Sequence, residues 1–127
     1  MTKKEIVLDS NFLMVLSRTK LSETLPLNSL LANYKMIVPK AIVGELEKLA
    51  KGKSNKAKNA RTALGVARKC EAIDENIEGS ADDAILEVAH KRNAVVATLD
   101  RELIASLKRT GVPVVTLRKN RLEGLDV

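Results

Sequence analysis

Aromatic side chains are nearly missing from this chain: Phe12 and Tyr34 are the only two, and tryptophan is absent. Proteins that stack bases on aromatic platforms, as OB-folds and RRMs do, would have almost nothing to work with here. The core must be aliphatic, built from Leu, Ile, Val and Ala. Cysteine is reduced to Cys70, which excludes an intrachain disulfide and a thiolate zinc cluster. Histidine is reduced to His90, which excludes a His-rich metal site. The two lie on different segments, so Ser-His-Asp or Cys-His catalysis has no support. No apolar run approaches the ~20 residues that span a bilayer, and the N-terminus lacks a signal-peptide core, so the expectation is a cytoplasmic protein without membrane contact. Glutamine is absent as well, a bias toward thermophilic composition. What remains for chemistry is the carboxylates.

Length points to one domain over residues 1–127, enough for a proper core and too little for two. The formal net charge is +6, and its distribution is uneven. Between Lys48 and Lys69 there are eight Lys or Arg and no acid; between Glu71 and Glu87 there are seven acids and no Lys or Arg. The basic block reads either as a solvated helix face or as an electrostatic footprint for a polyanion. In the second reading Lys48, Lys51, Lys53, Lys56, Lys58 and Arg61 would contact that polyanion.

Ile6, Val7 and Leu8 form a continuous apolar run that stops on Asp9, Ser10 and Asn11, the pattern of a short strand buried on both faces. Phe12, Leu13, Val15 and Leu16 follow at helical spacing, and after a break at Thr19 to Ser22 a second helical stretch runs through Leu25, Leu27, Leu30 and Leu31. Met36 to Val38 is the next strand, with Pro39 suited to the first turn of a helix through Leu49. A polar break at Gly52 to Asn55 precedes a helix over Lys56 to Cys70, with Ala57, Ala60, Leu64 and Ala67 on one face. A short edge strand is expected around Ala72 and Ile73. Ser80 opens a helix to about Lys91, Ala94 to Leu99 is a strand, Arg101 to Lys108 a helix, Val112 to Leu117 the last strand, and the tail is basic. This alternation predicts an α/β fold with a central parallel sheet of four to five strands flanked by helices. Ligands in such folds sit beyond the carboxyl ends of the strands, where the strand order reverses.

Four acids fall at suggestive places. Asp9 and Asp100 each end a strand, and either could simply cap the helix that follows. Thr98 alternates to the same side as Asp100. Glu45 has Ile42 three before it and Leu49 four after it, on one apolar stripe. There it would be desolvated and need a partner, unless it reaches past the stripe to water. Ser80 and Asp83 match the S-x-x-D form of a capping box, which gives Asp83 a structural task. Asp82 shares its stripe with Ile85, Leu86 and Ala89 and points toward the core edge. Four such carboxylates together would need divalent cations, and hard oxygen ligands select Mg²⁺ or Mn²⁺. The reaction that fits is metal-assisted phosphodiester hydrolysis, with nearby cations holding the polyanion. A phosphotransfer domain also starts with a strand ending in Asp, but Asn11 stands where its second acid would be.

The stretches VLDSN (Asp9, Asn11), GELEKL (Glu45), SADDAILEVA (Asp82, Asp83), VATLDREL (Thr98, Asp100) and GVPVV together resemble the PIN domain family over nearly the whole chain. The resemblance implies a three-layer α/β fold and a Mg²⁺- or Mn²⁺-dependent endoribonuclease acting on single-stranded or structured RNA. Asp9, Glu45, Asp82 and Asp100 would be its catalytic metal ligands, with Asn11 and Thr98 orienting ligands or water and Asp83 in support. The ELEKL helix and the basic loop behind it look most like the PIN proteins of ribosomal RNA processing in archaea and eukaryotes. The second likeness is to VapC-type toxins, whose partner is an antitoxin. A homodimer is expected, and an inactive RNA-binding or assembly protein on the same fold is the alternative.

Overall fold

The structure is a computed structural model that describes residues 4–17, 33–74, 79–118 and 121–125. Its elements are β1 (Lys4–Leu8), α1 (Ser10–Ser17), β2 (Tyr34–Pro39), α2 (Lys40–Ala50), α3 (Asn55–Ala67), β3 (Glu71–Ile73), α4 (Ala81–Arg92), β4 (Val95–Ala97), α5 (Arg101–Arg109), β5 (Val114–Arg118) and β6 (Arg121–Leu125). The strands form one sheet in the order β3-β2-β1-β4-β5-β6. All neighbours are parallel except β5 and β6, which pair antiparallel. Five parallel strands agree with the sequence-based expectation. The sixth does not, because its segment reads only as a basic tail. The helical stretch expected through Leu25, Leu27, Leu30 and Leu31 lies outside the described residues.

β1 is central, with β2 on one side and β4 on the other, in register Ile6 to Met36 and Ile6 to Val95. Ile6, Val7 and Leu8 are fully buried, as a strand covered on both faces requires. Phe12 is fully buried too, and the rest of the core is aliphatic. The chain leaves β1 toward β2 and β3 in one direction and returns through β4 and β5 in the other. The order therefore reverses between β1 and β4, and the cleft beyond their carboxyl ends is the expected ligand position. The ladder continues past both strands: Asp9 N–H donates to Ala97 O (3.1 Å) and Thr98 N–H to Val115 O (3.1 Å).

Local chemistry accounts for the helix limits near this cleft. Pro39 closes β2 and caps α2, which begins at Lys40, one residue later than the first-turn place expected for Pro39. Ser54 caps α3 by accepting from Ala57 N–H (3.1 Å). The inward face of α3 is made of Ala57, Ala60, Ala63, Leu64 and Ala67, small enough for α1 and α2 to pack closely on it. At the opposite end of the sheet, Arg92 from the last turn of α4 holds Glu5 with two hydrogen bonds, Nε to Oε1 (3.0 Å) and Nη2 to Oε2 (2.6 Å). Among the described residues, no helix is long and apolar enough to cross a membrane.

Candidate active site

Asp9 follows the last residue of β1 and is 6% exposed. Its Oδ1 accepts the Ser10 N–H at 2.8 Å, the turn into α1. Its Oδ2 accepts the hydroxyl of Thr98 at 2.8 Å. Thr98, fully buried just past β4, accepts in turn from the Asp100 N–H (3.1 Å). Because that N–H can only donate, the Thr98 proton is left to point at Asp9. On the other side, the Ser10 hydroxyl donates to Glu45 Oε1 at 2.5 Å. A single chain of hydrogen bonds thus runs Glu45, Ser10, Asp9, Thr98, Asp100 across α2, α1, β1 and β4.

The expected capping role of Asp100 is present: its Oδ1 accepts from Glu102 N–H (2.9 Å) and Leu103 N–H (3.3 Å) at the start of α5. Asp83 completes the capping box at Ser80. Its N–H donates to Ser80 Oγ (3.2 Å), and its Oδ2 accepts from Ser80 N–H (3.0 Å). Gly79 makes room for this box, since a Cβ there would lie 2.5 Å from Asp83 Oδ2. Asp83 is exposed, whereas Asp82 is half-buried. Glu45 is half-buried beside the fully buried Ile42 and Leu46, so it sits at the margin of the apolar stripe.

Electrostatics tie the acids together. Burial pushes the Asp9 carboxyl above its ordinary value; the Thr98 and Ser10 hydrogen bonds oppose this, and the charges of Glu45 and Asp100 add to it. Asp82 is raised by burial first, then by the charges of Asp9, Asp100, Glu45 and Asp83. Among the described residues, no lysine or arginine contributes to either shift. The four acids therefore sense one another, and no described cation offsets them. They do not form a closed cage, for among the described residues no three His, Cys, Asp or Glu side chains are set to hold a metal. Asp9, Glu45 and Asp100 each have oxygen atoms engaged by Ser10, Thr98 or the α5 amides. Each oxygen retains acceptor capacity, and a hard, negative, all-oxygen donor set without a cation suits a hard divalent ion.

The six predicted RNA-contacting cations separate. Lys56 lines a cavity of about 460 Å³ together with Asp100 and Asn11. Lys48, Lys51, Lys53 and Lys58 are exposed and do not line it. Arg61 has a structural task instead: its Nη1 donates to Ala50 O (2.8 Å) and Gly52 O (3.0 Å), closing the C-terminal end of α2. Ser10 is the residue that sequence reasoning missed. It reads as an ordinary helix start, and nothing local signals its contact with Glu45, 35 positions away.

Residues 6–120 match the family described as PIN like domain. The chain belongs to the PIN domain family. Among curated relatives it is 30% identical over 122 residues to Ribonuclease VapC4 of Methanocaldococcus jannaschii, covering 92% of each chain. Among solved structures it resembles the PIN domain endonuclease Utp24, with a TM-score of 0.75 at 23% identity over 97% of this chain and 92% of that one. A chain of VapBC2 from Rickettsia felis, solved bound to a DNA fragment from their promoter, gives a TM-score of 0.67 at 18% identity, covering 89% of this chain and 98% of that one. The last two likenesses speak to the PIN fold alone.

Proposed function

We propose that this PIN protein is an endoribonuclease that hydrolyses RNA phosphodiester bonds with Mg²⁺ or Mn²⁺. The observation that supports the reading is that Asp9, Glu45, Asp82 and Asp100 influence one another's charge near the strand-order reversal with no described cation offsetting them. Asp9, Glu45, Asp82 and Asp100 would hold the ion. When bound, it supplies Lewis acidity and neutralises charge developing on the phosphate. The chain's own residues do the rest. Ser10 and Thr98 fix both oxygens of Asp9 and set its rotamer, and Ser10 holds Glu45 in the same frame. Asp100 is anchored through the first turn of α5. Lys56, across the cavity from α1, offers a cation to a phosphate that the acids alone would repel.

The GELEKL helix and its basic loop support a role in ribosomal RNA processing. A toxin role, with an antitoxin as partner, is the second reading, favoured by the 30% identity to a protein named VapC4. A homodimer belongs to either. Incubation of the purified protein with structured precursor RNA should give discrete products in Mg²⁺ or Mn²⁺ and none in EDTA. Products undiminished by EDTA, or none with either metal, would overturn the reading. Arrested growth on expression, relieved by a co-expressed neighbouring gene product, would decide for the toxin role.

A further inference from the structure

The cavity beside the acids has a composition that phosphate binding does not explain. Its walls combine the apolar side chains Met14 and Val15 of α1 and Leu99 after β4 with the polar side chains Asn11, Lys56 and Asn59. Asp100 lines it too and belongs also to the acid cluster. The volume, about 460 Å³, lies within the range of roughly 300–1,000 Å³ typical of small-molecule sites. The side chains of Asn11, Lys56 and Asn59 have no hydrogen bond or ion pair within the described residues, in contrast to Asp9, Glu45 and Asp100. Lys56 and Asn59 are three apart on α3, so they present side by side.

We propose that this cavity receives one unpaired nucleobase flanking the phosphate that is cut, with Asn59 and Asn11 reading its edge. The inference rests on the nuclease reading for its position next to the cut, and on the cavity itself for its ligand. A flat, apolar-faced base with a polar edge matches walls of this kind. The aliphatic Met14, Val15 and Leu99 would cover the faces in a chain with almost no aromatic residues to stack on. Each carboxamide carries both a donor and an acceptor, the combination that pairs bidentately with a base edge such as adenine N6 and N7. Lys56 would meet the phosphate on the same nucleotide. A base locked in a duplex cannot enter, so the site selects unpaired RNA at this position.

The test is a titration of ¹⁵N-labelled protein with 5′-AMP, 5′-CMP and ribose 5-phosphate, following the side-chain amide signals of Asn11 and Asn59. At least one nucleotide should shift both signals at concentrations at least tenfold below those at which ribose 5-phosphate does. Asn59→Leu should weaken that nucleotide at least tenfold with an unchanged melting temperature. Ribose 5-phosphate binding as tightly as the nucleotides would reduce the cavity to a phosphate site, and nucleotides that leave both signals unmoved would dismiss it. None of these outcomes needs cleavage, so a protein that cuts no RNA but binds nucleotides here would remove the nuclease reading and leave the base site standing.

Discussion

β1 carries a carboxylate at each end, and the two are handled in opposite ways. Glu5 is gripped by the Arg92 guanidinium, and that hydrogen bond is the main reason its carboxyl lies below the ordinary value. Asp9 is buried with no cation among the described residues beside it, held there by the neutral donors Ser10 N–H and the Thr98 hydroxyl, and it lies above the ordinary value. One strand therefore shows what a carboxylate looks like when it is finished by the fold and when it is left to be finished by something else. The donors on Asp9 orient it without neutralising it, which is the condition a ligand for a cation needs.

The comparison breaks most sharply through Asp9→Asn. The amide keeps the shape and an acceptor for Ser10 N–H, so the fold should survive, with a melting temperature in EDTA equal to or above wild type because a buried charge is gone. Metal-dependent cleavage should fall by more than about a hundredfold, since even partners that only support a ligand cost about 10–100-fold. Ser10→Ala tests that supporting level directly. It leaves the backbone N–H on Asp9 but frees Glu45, and cleavage should drop about 10–100-fold together with a higher metal concentration for half-maximal rate. Full activity in Ser10→Ala at every metal concentration would mean that the contact with Glu45 does nothing for the site.

At the other end of the strand the expectation reverses. Arg92→Ala leaves Glu5 partly buried without its partner and should cost about 1–2 kcal/mol in denaturant unfolding, with cleavage per folded molecule unchanged. The exposed pairs Lys35–Glu71 and Lys40–Asp74 should each matter by only a few tenths of that by the same measurement. A loss of activity in Arg92→Ala without a loss of stability would show that the two ends of β1 are not independent.

How much of this was legible depends on how local the signal is. β1 and its terminal Asp9 follow from three apolar residues and a stop, and the Ser80–Asp83 box from a four-residue pattern, so both could be read directly. The separation of Asp82 from Asp83 followed from the same pattern plus helical spacing. The Ser10 contact with Glu45 and the Arg61 clamp on α2 could not be read, because each joins segments that only tertiary packing brings together. Arg61 looked like one more cation in a basic block, yet its position opposite the end of α2 decides its use. β6 was hidden for a related reason: RLEGL acquires strand character only from its pairing with β5. The cavity is the furthest case, since α1, α3 and the residues after β4 contribute to it from three separate stretches.

The two carboxylates should also leave opposite marks on stability as pH changes, measured by thermal melts in EDTA. Glu5, whose folded pKa is depressed from 4.5, contributes stability that is present above that value and lost as pH falls through the folded pKa. Asp9 and Asp82, whose folded values are raised from 3.8, bind protons more readily in the native state, so their contribution is present at low pH and lost as pH rises through those folded values. Between 3.8 and 4.5 the two effects oppose each other; below 3.8 only the Glu5 loss remains, and above 4.5 the acids of the cluster should give a shallow decline that exposed carboxylates would not. Asp9→Asn should flatten that decline, while Glu5→Gln should flatten only the acid limb. A decline identical in Asp9→Asn and wild type would assign it to groups outside the cluster, and the contrast between the ends of β1 would then be one of hydrogen bonding rather than of charge.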